Sequence, residues 1–384
     1  MSGKTILILG GGIGGIVAAR RLRKALPAQH RVVLVEREAR HVFAPSLVWL
    51  MVGLRKAEQI TRALPAMVGK KVEIMRGTVE SIDPAKRSAR VDGRELKADY
   101  LVVALGAELA PETVPGLQQA GHNFYTLAGA ESLREARLEV RRGRIVVLVS
   151  AMPFKCPAAP YEAAMLLDYD ARKRKLRDSL RIDIFTPEPG PMPVAGPQVS
   201  AQVRGMVEAK GIGFHPGHAV TTVDPAARRI AFANGASAEF DLLAYVPPHR
   251  APAVVRDCGL TGESGWVPVD RSNMATRFPG VYAIGDVTGI MLKMGKPLPK
   301  AGVFAHGEAE IVADNIVAEI VGKGDRKAFA GHGECFIEIG DGKAGFGSGD
   351  FYAEPVPQIR LRGPNRALHL GKIAFEKYWL FEWF

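Results

Sequence analysis

Short, uninterrupted apolar runs recur along the chain, and segments of helical periodicity separate them. Runs of this length predict strands buried on both faces of a parallel sheet at 5–9, 99–104 and 145–149, and further strands are predicted at 32–35, 181–186, 241–246 and 281–284. Apolar residues spaced three to four apart predict helices near 16–26, 129–141, 161–176 and 301–321. Because strand and helix alternate, the pattern predicts an α/β protein with a parallel sheet.

The strand–helix–strand unit at the start of the chain has a partial echo in the unit that begins at residue 145. Shorter alternating runs at 71–74 and 88–91 predict a meander that turns at Asp92-Gly93. Further strands are expected around 335–339 and 343–353. No Gly/Ser linker separates these units, so we expect discontinuous domains that share interfaces.

Composition narrows the class of protein only a little. The 384 residues are 47% hydrophobic and carry a formal net charge of +11, which would attract an anionic membrane or a nucleic acid. Three cysteines without a CxxC pair suggest neither a zinc ribbon nor a secreted disulfide scaffold, and we predict no metal site. We expect no secretory signal and no transmembrane helix, because the first apolar run is a strand and every run falls well short of ~20 residues.

A glycine-rich turn follows the first strand and opens the first helix. Gly10, Gly12 and Gly15 form GxGxxG, in which the glycines permit a tight turn, close approach of a pyrophosphate and close packing of helix on strand. Glu36 ends the second strand 21 residues after Gly15, where a carboxylate can accept hydrogen bonds from ribose hydroxyls. The turn therefore predicts a dinucleotide site.

Two later segments indicate which dinucleotide binds. Residues 99–106 and 280–286 resemble the second and third FAD motifs of flavoproteins with two dinucleotide-binding domains, although the usual Ala-Thr-Gly is Ala104-Leu105-Gly106 here. The resemblance implies that Asp286 bonds the ribityl chain, and the absence of cysteine from residues 1–155 favours non-covalent FAD. The residues expected to bind the cofactor are Gly10, Gly12, Gly15, Glu36, Arg37, Pro45, Val79, Ala104, Gly106, Gly285, Asp286, Lys300, Ala301 and Gly302.

On this interpretation residues 1–114 and 241–325 form the FAD-binding domain, 115–240 a second Rossmann-like domain, and 326–384 a C-terminal domain facing membrane and quinone. The turn of the second domain, residues 150–160, contains three prolines and no glycine. Side chains and fixed φ angles deny a pyrophosphate the close backbone approach it needs. We therefore expect this domain to have lost its nicotinamide dinucleotide site.

That turn carries Cys156 instead. Residues 154–162 and 299–302 resemble the sulfide:quinone oxidoreductases, and the former also resembles the flavoprotein subunit of flavocytochrome c sulfide dehydrogenase. The resemblance implies a redox pair of Cys156 and Cys335, with Cys335 facing the flavin and Cys156 carrying a persulfide. Glu162 is a candidate proton shuttle or a simple first-turn carboxylate, and Lys300 is a candidate catalytic group or a surface lysine. Cys258 matches no motif, and we interpret it as structural.

The end of the chain is unusually aromatic, with six aromatic residues among the last ten. Aromatic residues beside basic ones are typical of the interface of an anionic bilayer, and the alternative is a tail folded back onto the core. We predict a peripheral, monotopic membrane protein that binds sulfide and quinone, with no nucleic-acid partner, and leave a homo-oligomer open. The residues expected at the quinone or membrane are Phe346, Phe375, Tyr378, Trp379 and Trp383.

The function that the resemblance implies is FAD-dependent oxidation of sulfide, with electrons passed to quinone. A flavocytochrome c-type enzyme is one alternative, although residues 40–45 lack the cysteine that usually tethers its flavin. A type II NADH dehydrogenase is a second, disfavoured by the turn at 150–160. A non-catalytic FAD protein that docks through its tail is a third.

Overall fold

The computed structural model describes residues 3–69 and 71–382, excluding the side chain of Glu382. Two parallel five-stranded sheets organise the chain. The strands are β1 Thr5–Leu9, β2 Arg31–Glu36, β3 Arg40–Val42, β4 Thr61–Ala63, β5 Glu73–Arg76, β6 Val79–Asp83, β7 Ser88–Val91, β8 Arg94–Lys97, β9 Tyr100–Val103, β10 Glu108–Leu109, β11 His122–Asn123, β12 Gly143–Val149, β13 Leu180–Phe185, β14 Gly213–His215, β15 Val220–Asp224, β16 Arg229–Phe232, β17 Ser237–Glu239, β18 Leu242–Val246, β19 His249–Arg250, β20 Val281–Ala283, β21 His332–Gly340, β22 Lys343–Asp350 and β23 Gln358–Asn365.

The first sheet has the order β20-β9-β1-β2-β5, and the second has the order β11-β18-β12-β13-β14. The apolar runs become the central strands, such as β1 and β12, because helices and loops cover both faces of each sheet. Strand β20 joins the first sheet from beyond the second, so the first unit is discontinuous in sequence. The predicted α/β class with two Rossmann-like units is confirmed, whereas the residue limits of the domains stay a prediction.

The helices lie mostly between consecutive strands and cover the sheets. Helix α1 packs along α9. The side chain of Ile284 packs closely against Gly14 of α1, where an added Cβ would lie 3.0 Å from Cδ1 of Ile284. The helices are α1 Ile13–Ala25, α2 Leu47–Leu50, α3 Leu64–Val68, α4 Leu117–Ala120, α5 Leu127–Glu139, α6 Ala159–Lys173, α7 Pro197–Glu208, α8 Ala253–Asp257, α9 Gly302–Val321 and α10 Arg366–Lys377.

Small antiparallel sheets complete the fold and correct one expectation. Strand β5 is not part of the meander predicted for 71–74, because it pairs in parallel with β2, Val33 opposite Glu73. The meander consists of β6, β7 and β8, and Asp92-Gly93 makes the turn between the last two. Strands β21, β22 and β23 form a separate antiparallel sheet, which packs through β21 against the helix at Ala159–Lys173 of the second domain.

The C-terminal segment 366–382 contains helix α10 and a π-helical turn, Tyr378–Glu382, that the sequence analysis did not assign. Trp379, which was expected at the quinone or the membrane, does not face outward, because it is 2% exposed and packs into the core of the first domain. Phe375, Tyr378 and Phe381 are 44%, 51% and 49% exposed, so only one face of the segment is open. Trp383 lies outside the described residues.

Within residues 3–69 and 71–382, no helix combines the length and the apolar character that a membrane crossing requires.

Candidate active site

A cavity of about 1420 Å³ lies between the two parallel sheets and the C-terminal sheet. Its walls include the glycine-rich turn after β1, the loop that carries Cys156 after β12, and the segment around Asp286 after β20. These three segments meet because the carboxyl ends of parallel strands open onto one edge of each sheet. Cys335 of β21 lies in the remaining wall.

The glycine-rich turn has the geometry that a pyrophosphate requires. Gly10 has φ +105°, and a Cβ there would lie 2.4 Å from the carbonyl oxygen of Ala104. A Cβ on Gly15 would lie 1.8 Å from the carbonyl oxygen of Gly10, so only glycine lets α1 start this close to β1. A Cβ on Gly12 would meet nothing within 4 Å, and Gly12 lines the cavity. The turn therefore leaves space for phosphate against the N-terminus of α1.

The carboxylate of Glu36 is fixed at the end of β2. It accepts hydrogen bonds from the backbone N–H groups of Gly11 at 2.6 Å and Glu38 at 2.9 Å. This places an acceptor beside the turn, as a ribose-binding carboxylate requires. The neighbouring Arg37 is exposed, whereas Pro45 and Val79 are half-buried in the cavity wall.

The segment after β20 forms the opposite wall of the FAD site. Asp286 is half-buried there, and burial raises the pKa of its carboxyl group. Gly285 has φ +74°, and its N–H donates to the buried carboxylate of Glu308 at 2.6 Å. Ala104, Gly106, Ala301 and Gly302 line the same cavity. A Cβ on Gly302 would lie 2.4 Å from Ile13, so the N-termini of α1 and α9 converge on the cavity.

Lys300 is buried, which excludes the surface-lysine alternative. Its ammonium donates to the carbonyl oxygens of Asp286 at 2.7 Å and Thr288 at 2.9 Å and lies 3.3 Å from the centroid of the Trp266 ring. Burial lowers the pKa of Lys300 to about 8. Through these two hydrogen bonds the Lys300 side chain fixes the backbone at Asp286 and Thr288.

These features together fit FAD. The turn has space for a pyrophosphate, Glu36 offers an acceptor beside it, Asp286 lines the same cavity, and the cavity is large enough for a drug-sized ligand or larger. Gly10, Gly12, Gly15, Glu36 and Asp286, all chosen from sequence, thus share one cavity.

Cys156 and Cys335 come from different domains and line the same cavity. Both are free, half-buried thiols. Cys156 has φ +54°, and its N–H donates to the carbonyl oxygen of Lys300 at 2.7 Å, which ties its loop to the FAD-binding domain. Burial raises the pKa of the Cys156 thiol to about 12, and burial followed by the charge of Cys156 raises that of Cys335 well above its usual range. Ionisation of one thiol therefore disfavours ionisation of the other.

Glu162 connects the cysteines to a buried ion pair that sequence reasoning missed. Its side chain accepts a hydrogen bond from the Lys372 ammonium at 2.5 Å and from the Glu338 N–H at 2.7 Å. Burial alone would lower the pKa of Lys372, but the Glu162 carboxylate outweighs it and the pKa is raised. The Glu338 side chain in turn shares a hydrogen bond of 2.8 Å between its Oε2 and Nδ1 of His369. Glu162 is thus more than a first-turn carboxylate.

The second domain has its own acidic residue after its second strand, but that residue is engaged internally. Glu188 is 1% exposed, and the hydroxyl groups of Tyr161 and Thr186 both donate to its carboxylate. Burial raises the pKa of Glu188 to about 7. A nicotinamide ribose would have to displace these partners, which agrees with the expected loss of the dinucleotide site.

The remaining candidate residues fall into two groups. Phe346, Phe375 and Trp379 line the cavity, whereas Tyr378 does not. Cys258 lies elsewhere, beside the first sheet, where its thiol donates to the carbonyl oxygen of Val255 at 3.2 Å. This contact supports a structural role for Cys258.

Several known proteins resemble this chain over nearly its full length. A sulfide-quinone reductase of Aquifex aeolicus is 28% identical over 99% of this chain and 91% of the relative. The mitochondrial sulfide:quinone oxidoreductase of Mus musculus is 24% identical, over 91% of this chain and 79% of its own length. The crystal structure of the sulfide:quinone oxidoreductase from Aquifex aeolicus superimposes with a TM-score of 0.87 at 26% identity, covering 98% of this chain and 90% of that one.

The profile of one protein family matches residues 4–309, which is most of the chain and includes both parallel sheets. The chain therefore belongs to the pyridine nucleotide-disulphide oxidoreductase family.

Proposed function

We propose that the protein is an FAD-dependent sulfide:quinone oxidoreductase. The observation that carries the proposal is the meeting of Cys156 and Cys335 in the cavity that fits FAD. The curated relatives, named as sulfide-quinone reductases, support the same conclusion across nearly the whole chain. We also propose the domain limits 1–114 with 241–325, 115–240, and 326–384.

In the proposed reaction the two free thiols are first oxidised to a Cys156–Cys335 disulfide, with loss of two protons and with two electrons passing to bound FAD, and this disulfide is the state that hydrosulfide meets. Hydrosulfide attacks one sulfur, so that a new S–S bond forms, the old one breaks, and a persulfide and a thiolate result. A second hydrosulfide attacks the outer sulfur of the persulfide. The bond between the cysteine sulfur and the outer sulfur breaks, inorganic hydrogen disulfide (HSS⁻) leaves, and the second cysteine is also reduced. Renewed bonding of Cys156 to Cys335 releases two electrons. FAD, when bound, supplies the chemistry that accepts this pair and transfers it to quinone.

Lys372 is proposed to favour the thiolates that this sequence needs. Burial and the charge of Glu162 oppose thiolate formation at both cysteines, and the smaller effect of the Lys372 charge acts in the opposite direction on each. Glu162 holds that cation in place and lies in the cavity wall, where its carboxylate could take a proton from hydrosulfide or thiol. A positive charge beside a thiol is the general means of lowering its pKa.

The proposed quinone wall is aromatic. Phe336 follows Cys335 directly, its ring centroid lies 4.8 Å from that of Phe346, and it lies 6.4 Å from that of Phe375. All three rings line the cavity, and Phe375 is also 44% exposed. A flat, apolar quinone ring could therefore enter between these side chains.

The outer face of segment 366–382 is the proposed contact with an anionic membrane surface. Leu370, Tyr378 and Phe381 are at least 49% exposed on it, and Arg62 and Lys377 lie over the ring of Phe381. Apolar and aromatic side chains beside cations suit the headgroup region. On this proposal the protein is peripheral to the membrane, and a homo-oligomer remains open.

Anaerobic absorbance spectroscopy tests the proposal. Sulfide is expected to bleach the flavin of the purified holoenzyme, and a soluble quinone is expected to restore the colour. Bleaching by NADH with no response to sulfide would instead identify a dehydrogenase of the NADH type. A flavin that stays oxidised with both donors would identify a non-catalytic FAD protein.

Recovery of colour only with a cytochrome would favour the flavocytochrome c type. Acid denaturation followed by filtration tests the mode of attachment. FAD in the filtrate is expected, because the proposed attachment is non-covalent.

A further inference from the structure

One wall of the FAD cavity comes from the C-terminal segment 366–382. Lys372, Phe375 and Trp379 line the cavity and follow one another at intervals of three and four residues. Side chains with this spacing lie on one face of a helix. That face therefore points at the cofactor site, while Leu370 on the same helix is 64% exposed.

A few polar contacts hold the segment against the FAD-binding domain. Buried Glu376 accepts hydrogen bonds from the hydroxyl group of Ser46 at 2.5 Å and from the guanidinium of Arg55 at 3.0 Å. Arg62 donates to the carbonyl oxygen of Leu380. The segment is thus held by Ser46, Arg55 and Arg62, which follow Pro45 in the sequence.

Trp379 links the segment to the glycine-rich turn through His41. The indole N–H donates to Nε2 of His41 at 3.1 Å, and the His41 ring lies near the backbone of Gly11. Burial lowers the pKa of His41 to about 4, so the ring is neutral. A neutral imidazole has one donor and one acceptor nitrogen, so Nε2, which accepts from Trp379, leaves Nδ1–H as the donor. The His41 ring therefore lies between Trp379 and the glycine-rich turn and links the two.

We propose that segment 366–382 is a clasp for FAD, in which Trp379 closes the cavity beside the glycine-rich turn through His41. The sulfide and quinone chemistry does not require this role, and the contacts that carry it lie at the nucleotide half of the site. Loss of the clasp therefore speeds release of FAD without requiring any change at Cys156 or Cys335. Trp379 and His41 are positioning residues in this proposal.

Release of FAD from the diluted holoenzyme, followed by the rise in flavin fluorescence, tests the clasp. Trp379→Phe keeps an aromatic ring and removes the donor to His41, and release is expected about fivefold faster, the effect of one net hydrogen bond. Trp379→Ala also opens the wall and is expected to release FAD faster than Trp379→Phe. Leu370→Ser, on the exposed face of the same helix, is expected to retain FAD like the wild type.

A general loss of stability must be separated from loss of the clasp. Leu117→Ala removes a fully buried side chain from the cluster on the far face of the second sheet and serves as the stability-matched control. The proposal requires faster release from Trp379→Ala than from Leu117→Ala. Equal release from these two variants, or unchanged release from both Trp379 variants, would overturn it.

Discussion

The ion pair between Lys372 and Glu162 allows a quantitative test of the site. The two charged atoms lie 2.5 Å apart, and the side chains are only 5% and 4% exposed. Removing one partner of such a pair leaves a buried charge uncompensated, so Lys372→Met is expected to lower the free energy of unfolding by about 3–5 kcal/mol. Arg204→Met is the matched control, since its pair with Glu208 spans 2.7 Å but both partners are 48% exposed, and its expected cost is below about 1 kcal/mol.

A double-mutant cycle separates the pair from its surroundings. Glu162→Gln keeps an oxygen that can accept from the Glu338 N–H, so the double variant with Lys372→Met removes mainly the charge pair. Urea unfolding monitored by circular dichroism should give a coupling of about 2 kcal/mol between the two changes. Lys372→Met should also slow flavin bleaching by sulfide. Costs that add within about 0.5 kcal/mol would refute the reasoning, because independent sites are additive to that extent.

Three further tests concern the cysteines and the glycine-rich turn. Cys335→Ser should abolish bleaching by sulfide, whereas Cys258→Ser, outside the cavity, should bleach like the wild type; equal loss in both would contradict the proposed pair. Iodoacetamide labelling of Cys156 in the reduced enzyme should keep increasing above pH 9, because burial raises the pKa of the thiol to about 12 and only the thiolate reacts; a plateau below pH 9 would contradict this. Gly12→Val should yield folded protein without FAD, since its side chain would occupy the space for pyrophosphate, and normal FAD content would exclude that placement.

Local patterns in the sequence predicted most of the fold. Runs such as 6–9 and 145–149 are apolar at every position because both faces of each parallel sheet are covered. The run at 71–74 failed as a predictor, since four residues of mixed polarity suit a hairpin and a parallel edge strand equally well. Its pairing with β2 depends on a strand that lies about forty residues earlier.

Helix α10 escaped prediction because its buried face is charged. Lys372 and Glu376 are 4% and 0% exposed, and such residues in a sequence indicate a solvent-facing surface. Their partners, Glu162 and Arg55, lie more than 200 residues earlier in the chain. The glycine fingerprint and the cysteines could be predicted because each lies within a local sequence motif. Lys372 could not be predicted, because its position depends on a partner 210 residues earlier in the chain.

The turn after β12 explains why one scaffold would use sulfide in place of a nicotinamide. A nicotinamide site needs a glycine-rich turn and a free carboxylate at the end of the following strand. Here the turn carries prolines and Cys156, its backbone is fixed to Lys300 of the FAD-binding domain, and the carboxylate of Glu188 is held by Tyr161. These changes are physically linked, because the loop that would cradle a pyrophosphate instead delivers a sulfur to the cavity wall. In the proposed function this loop therefore serves the sulfur donor, while the glycine-rich turn of the first domain has the geometry that a pyrophosphate requires.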